Sequence, residues 1–150
     1  MEERLAQKVE IPADPAQLTT GFLTQVVQTC HPGVEVAAFE IVEHKRYGET
    51  MVSTSDRLKL RLSYTGAAAD LPGDVAVKMA REFEAPRLVP LYETEVNFYV
   101  RLRNGLPVEA PKAIGGLCDP EAARYYLLID DLTKRGATFP NCCCPCAIAA

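Results

Sequence analysis

The sequence predicts an α+β fold: about five antiparallel strands in one sheet, one helix packed on it, and a further helix near the N-terminus. Three observations carry that expectation. Leu58, Leu60, Leu62 and Tyr64 alternate with Arg57, Lys59, Arg61 and Ser63, the period of a strand with one packed and one wet face. Val75, Val77 and Met79 share one parity, against Ala76, Lys78 and Ala80 on the other, so a second strand sets a lysine between two alanines on a shallow face. Leu91, Tyr92, Val96, Phe98, Tyr99 and Leu102 recur at helical spacing, and steps of about 100° place Glu95 inside the arc of Leu91, Tyr92, Tyr99 and Leu102.

In chain order, residues 1–13 alternate in charge without a sustained period and read as a loose lead. Asp14 followed by Pro15 is a helix start, an N-cap before a proline whose missing N–H is tolerated in the first turn. Leu18, Phe22, Leu23, Val26, Val27 and Cys30 make a broad apolar stripe, and His31-Pro32-Gly33 ends it. Val34 to Arg46 favours a strand. Tyr47-Gly48-Glu49-Thr50 breaks it, and Ser53, Thr54 and Ser55 supply a hydroxyl-bearing turn before the alternating strand. The small-residue turn from Gly66 to Gly73 leads into the lysine strand, so these three strands follow one another antiparallel.

Pro90 suits the first turn of the Glu95 helix, and Asn104-Gly105 reads as a left-handed cap at its end. Lys112 to Cys118 forms a fourth strand despite Gly115-Gly116. Asp119-Pro120-Glu121 is a turn, and Tyr125 to Ile129 a fifth strand that stops at Asp130-Asp131-Leu132. The units expected are thus the lead at 1–13, a single domain at 14–136 and an irregular Cys-rich tail at 137–150.

Composition narrows the function classes. The chain has 150 residues, 48% of them apolar, enough for a real core. A formal net charge of −4 and the absence of a Lys/Arg stripe argue against binding a nucleic-acid backbone. No run of about 18 apolar residues is present to span a bilayer, and the N-terminus lacks the basic start and apolar run of a signal peptide. A cytoplasmic protein with neither nucleic-acid nor membrane partners is the expectation. Cys30 and Cys118 read as small apolar residues, whereas Cys142, Cys143, Cys144 and Cys146 crowd together too closely to suit one tetrahedral ion, so no metal site is expected.

An inward-facing glutamate in the apolar arc of a helix needs a partner, and the nearest candidate is Lys78 on the preceding strand. A strand lysine held by a helix glutamate, with a small residue two positions before it, resembles the ATP-phosphate anchor of the protein-kinase-like fold, whose strand reads V-A-I-K; here it reads Val75-Ala76-Val77-Lys78. With Ser53 to Leu58, Leu71-Pro72, Tyr92 to Tyr99, Leu106-Pro107, Pro111 and Leu127 to Leu132 in that order, the chain resembles the smaller, N-terminal lobe of the aminoglycoside phosphotransferase and choline-kinase-like enzymes. It is most similar to their ecdysteroid-kinase-like branch.

The resemblance implies an ATP-dependent phosphotransferase acting on a small-molecule alcohol, with ATP and Mg²⁺ as cofactors of the complete protein. Lys78 would hold the α- and β-phosphates, Glu95 would restrain its ammonium, and Ala76 would leave room for the adenine ring. The Asp130 carbonyl and Leu132 N–H would pair with the adenine edge, and Ser53, Thr54 and Ser55 would cover the phosphates in place of a glycine-rich loop. The base aspartate and the Mg²⁺ ligands are supplied in that family by a larger lobe. Neither His31 nor His44 opens an H-x-D here, so no catalytic residue is expected in this chain, and the Cys-rich end departs from the family as a truncated or frame-shifted tail would. Such a lobe should expose apolar surface along the fifth strand and the inner face. The alternative is a non-catalytic binding or interaction fragment of α+β fold.

Overall fold

The computed structural model describes residues 9–46, 54–67, 70–81 and 85–138. Five strands form one antiparallel sheet in the order β1-β2-β3-β5-β4: β1 (Val34–Lys45), β2 (Ser55–Gly66), β3 (Asp74–Ala80), β4 (Ala113–Asp119) and β5 (Arg124–Asp130). Helix α1 (Thr20–Gln28) lies against β1, β4 and β5, and α2 (Ala85–Asn97) against β4 and β5. They take opposite faces, because alternate residues of each strand fall in two separate clusters. Leu58, Leu60, Val75, Val77, Tyr126 and Leu128 bury with Leu23, Val26 and Val27 of α1, while Tyr125, Leu127 and Ile129 bury with Tyr92 and Val96 of α2.

The strands follow the alternation in the sequence, and β3 has the bounds its parity pattern implies. The helices depart from expectation in instructive ways. Asp14 caps only a 3-10 turn at Pro15–Gln17, its carboxylate accepting from the Ala16 N–H, and Leu18 then turns extended. A second cap, the Thr19 hydroxyl accepting from the Phe22 N–H, starts α1 itself. Two consecutive start signals give two helical pieces, because a cap residue must itself be extended. Ile11, within the stretch read as a loose lead, is buried in the α1 cluster with Val9 beside it.

Pro90 lies inside α2 and not in its first turn. The helix accommodates it near its start, where the carbonyl that loses its partner belongs to the opening turn. Beyond Asn97 the helix widens into a π turn, Phe98–Leu102, and tightens into a 3-10 turn, Arg103–Gly105. Gly105 lacks the positive φ of a left-handed cap. The end is tied by side chains instead. Asn104 donates to the Ala113 carbonyl and accepts from its N–H, and buried Arg103 donates to the carbonyls of Leu106 and Ala110.

The two glycines of β4 explain how the strand sits between two helices. A Cβ on Gly115 would stand 2.0 Å from the Val26 carbonyl oxygen, so α1 approaches the sheet backbone to backbone there. On the opposite face, a Cβ on Gly116 would meet only the side-chain ends of Val100, Leu127 and Val96. The Gly116 N–H donates to the Thr29 hydroxyl just beyond α1.

β5 is a central strand, between β3 and β4, and six of its seven residues are buried. The expectation of exposed apolar surface along it is therefore overturned. Large exposed apolar side chains among the described residues are instead Ile41 and Val42 on β1, Leu91 and Leu102 on α2 and its continuation, and Leu106 and Val108 beyond. Among the described residues no helix is long and apolar enough to cross a membrane.

Candidate functional site

Lys78 and Glu95 meet. Lys78 stands on the α2 face of β3, between Ala76 and Ala80, and its Nζ donates to Glu95 Oε1 of α2. Both side chains are about three-quarters covered, at 27% and 25% exposed, so the pair is only partly screened by water. Tyr92 and Val96, on the buried side of the same helix, hold α2 in rotation: Tyr92 stacks on Tyr125 of β5 at 4.2 Å between ring centroids. Leu91 and Leu102, expected in the inward arc with Glu95, are more than half exposed, which puts Glu95 at the edge of the buried stripe. An edge position lets a carboxylate reach a cation without full burial.

The strand register fixes what surrounds the lysine. Directly opposite neighbours in an antiparallel pair point to the same side. Lys78 thus faces Arg57 on β2 and Leu127 on β5, and Ala76 faces Lys59 and Ile129. Lys59 does not stay over its own strand. Its Nζ lies 3.3 Å from Asp131 Oδ2 and 2.9 Å from the Thr133 hydroxyl, so its side chain crosses β3 beside Ala76 to reach the exit of β5. Burial alone would push the Asp131 carboxyl up. Hydrogen bonds from the Thr133 hydroxyl and N–H and the Lys59 ammonium outweigh it, and its pKa lies below the usual value.

The remaining residues named from sequence separate. Ser53 lies outside the described residues. Thr54 is exposed, and its carbonyl accepts from the Tyr92 hydroxyl at 2.9 Å. Ser55 is the first residue of β2, paired with Ala80 and buried, and so belongs to the sheet and not to a turn. It stands beside Tyr125, whose phenol burial pushes up. The Asp130 side chain points to the α1 side, where it is held by Arg135 at 2.6 Å, so its carbonyl alone is left for the expected role. Leu132 opens the 3-10 turn Leu132–Arg135, and its N–H is one of the donors such a turn leaves without an internal partner.

Asp131 and Lys59 are the residues beside Ala76 and Lys78 to which the sequence assigned no role. Asp131 was visible as the neighbour of Asp130, and strand parity alone would have assigned the two carboxylates to opposite faces. Among the described residues, cavities also lie away from the Lys78–Glu95 pair. One, of about 450 Å³, runs along the sheet end near His31, Leu71, Lys112 and Asp130. The other, of about 590 Å³, is lined by Val9, Ile11, Leu117 and Cys118. No group of three or more His, Cys, Asp or Glu suited to a metal ion occurs among the described residues. The Cys-rich tail lies outside them. Compared with protein-family models, curated proteins and solved structures, the chain matches none.

Proposed function

We propose that this chain is the nucleotide-binding lobe of an ATP-dependent phosphotransferase acting on a small-molecule alcohol, with the catalytic base and Mg²⁺ ligands supplied from outside residues 1–150. The observation that carries the reading is the Lys78–Glu95 pair across β3 and α2. An unrestrained lysine is a mobile point charge; one held by a carboxylate on a packed helix presents its remaining N–H groups in a fixed direction. The sheet order supports the same reading, since it puts Ala76, Lys78 and the β5 exit side by side on one face.

The residues of this chain fit the phosphates better than the base. Lys78 binds and orients phosphate oxygens, Glu95 keeps the ammonium from swinging away, and Ala76 leaves the face shallow. Lys59, crossing beside Ala76, would have to leave Asp131 for an adenine ring to lie flat there. That crossing favours a second reading, a non-catalytic binding fragment in which the face is closed by its own side chains.

Titration of the full chain with ATP by calorimetry separates them. Under the first reading Lys78→Met weakens ATP by about tenfold or more, the loss of one charge-assisted contact, and Glu95→Gln weakens it less. Unchanged ATP affinity in Lys78→Met, or no ATP binding by the wild-type chain, removes the nucleotide reading and leaves the second.

A further inference from the structure

We propose that Lys45, Arg57 and Lys78 form a binding row for a linear polyphosphate anion, with Arg57 as its central contact. This deepens the nucleotide reading and rests on it for the identity of the anion as a nucleotide's phosphate chain. The register gives the row directly: Lys45 of β1 is the partner of Arg57 on β2, and Arg57 is the partner of Lys78 on β3. Three cations therefore stand side by side on one face of three adjacent strands. With strands about 4.8 Å apart, the row runs roughly 10 Å.

Like charges placed directly opposite one another in a sheet are destabilising. The rest of this face avoids that arrangement. Four residues along β2 from Arg57, Arg61 lies between Glu40 of β1 and Asp74 of β3 and pairs with both at 3.3 Å. Between the two rows, Lys59 stands opposite Glu43 and holds Asp131. In the cationic row the outer members have carboxylates, Glu43 for Lys45 at 2.9 Å and Glu95 for Lys78. Arg57, exposed and in the middle, has no ion-pair partner among the described residues.

A row of three cations whose central Arg57 stands between two like charges, on a face where the other cations are matched to acids, is the pattern of an anion-binding site. Its guanidinium offers a planar fork for phosphate oxygens, between two ammonium groups that bind as point charges. On its Lys59 side the row is bounded by the acids Glu43 and Asp131, and the chain carries a net charge of −4. That suits a short phosphate chain and not an extended nucleic-acid backbone.

The test is calorimetric titration of the full chain at low salt with inorganic tripolyphosphate, ATP and adenosine, alongside thermal melts without ligand. Arg57→Glu is the informative variant, because the proposal requires its two effects to run in opposite directions. It should weaken tripolyphosphate by at least about tenfold. Without ligand it should melt about 2 °C or more higher than the wild type, since an acid between two cations relieves the row. Arg57→Gln should fall between on both measurements, and the gain in melting temperature should fade in high salt.

The proposal is overturned if the wild type does not bind tripolyphosphate, if Arg57→Glu binds it as the wild type does, or if Arg57→Glu melts lower. Loss of ATP binding in Lys78→Met with no effect at Arg57 would remove the row and keep the nucleotide reading. Tripolyphosphate bound through Arg57, with ATP no tighter and adenosine not bound, would keep the row and remove the nucleotide.

Discussion

The two faces of the sheet are built from neighbouring residues of the same strands and differ in almost every physical respect. On the α1 face, Leu58, Leu60, Val75, Val77, Tyr126 and Leu128 are at most 2% exposed, and the helix presses its backbone onto β4. On the other face, α2 covers β4 and β5, while β1, β2 and part of β3 carry charges in register. The difference teaches that the α1 face is apolar core, whereas the other face divides into a core under α2, built from Tyr92, Val96, Tyr125 and Leu127, and a charged part on β1 and β2 that folding does not require to be apolar. Hydrophobic burial under both helices supplies the fold's driving force, and the exposed ion pairs of the charged part contribute little to it.

Adjacent residues on opposite faces make the contrast breakable. The largest effect is expected at Gly115: Gly115→Ala drives a Cβ into the Val26 carbonyl, which cannot move without α1, and should lower stability by about 3 kcal/mol. Gly116→Ala meets only flexible side-chain ends and should lose about 1 kcal/mol. Urea melts of the two variants check this, and equal losses would show that the faces are packed alike.

Leu60 and Lys59 give the same comparison on β2. Leu60→Ala empties a position 1% exposed and should lose about 3 kcal/mol, whereas Lys59→Ala takes one partner from the buried Asp131 carboxylate, which Thr133 still holds, and should lose about 1 kcal/mol. If the nucleotide reading holds, Lys59→Ala should also tighten ATP, since it uncovers the face beside Ala76. Weaker ATP binding in that variant would make Lys59 a ligand contact and not an obstruction.

The smallest effect is a pH dependence confined to the charged face. The folded pKa of Asp131 is depressed, so its contribution is present above the ordinary carboxylate value near about 3.9 and is lost as pH falls through the lower folded value. Asp131→Asn should therefore lose less stability than the wild type on acidification below about pH 4. Parallel losses in the two proteins, followed by urea melts across that range, would show that the Lys59 and Thr133 contacts do not hold the carboxylate.

Much of this was legible in the chain because strand parity and helical period are local. The five strands, the face of Lys78 and the inward lean of Glu95 all follow from spacing within one element. The centrality of β5, the Lys59 crossing and the cationic row were not, since each depends on which strands become neighbours and in which register. Ser55 was misplaced because a hydroxyl tolerates a strand as well as a turn. Leu91 and Leu102 were misplaced because an apolar residue at the margin of a helical stripe satisfies the period without being covered.

The hydrogen bond from Tyr92 to the Thr54 carbonyl has a mechanical consequence. Tyr92 and Glu95 sit one turn apart on the same helix, the first gripping the start of β2 and the second the lysine of β3. Rolling α2 about its axis by even a fraction of a turn would release both grips together, so one helix orientation fixes the Thr54 carbonyl and the Lys78 ammonium at once.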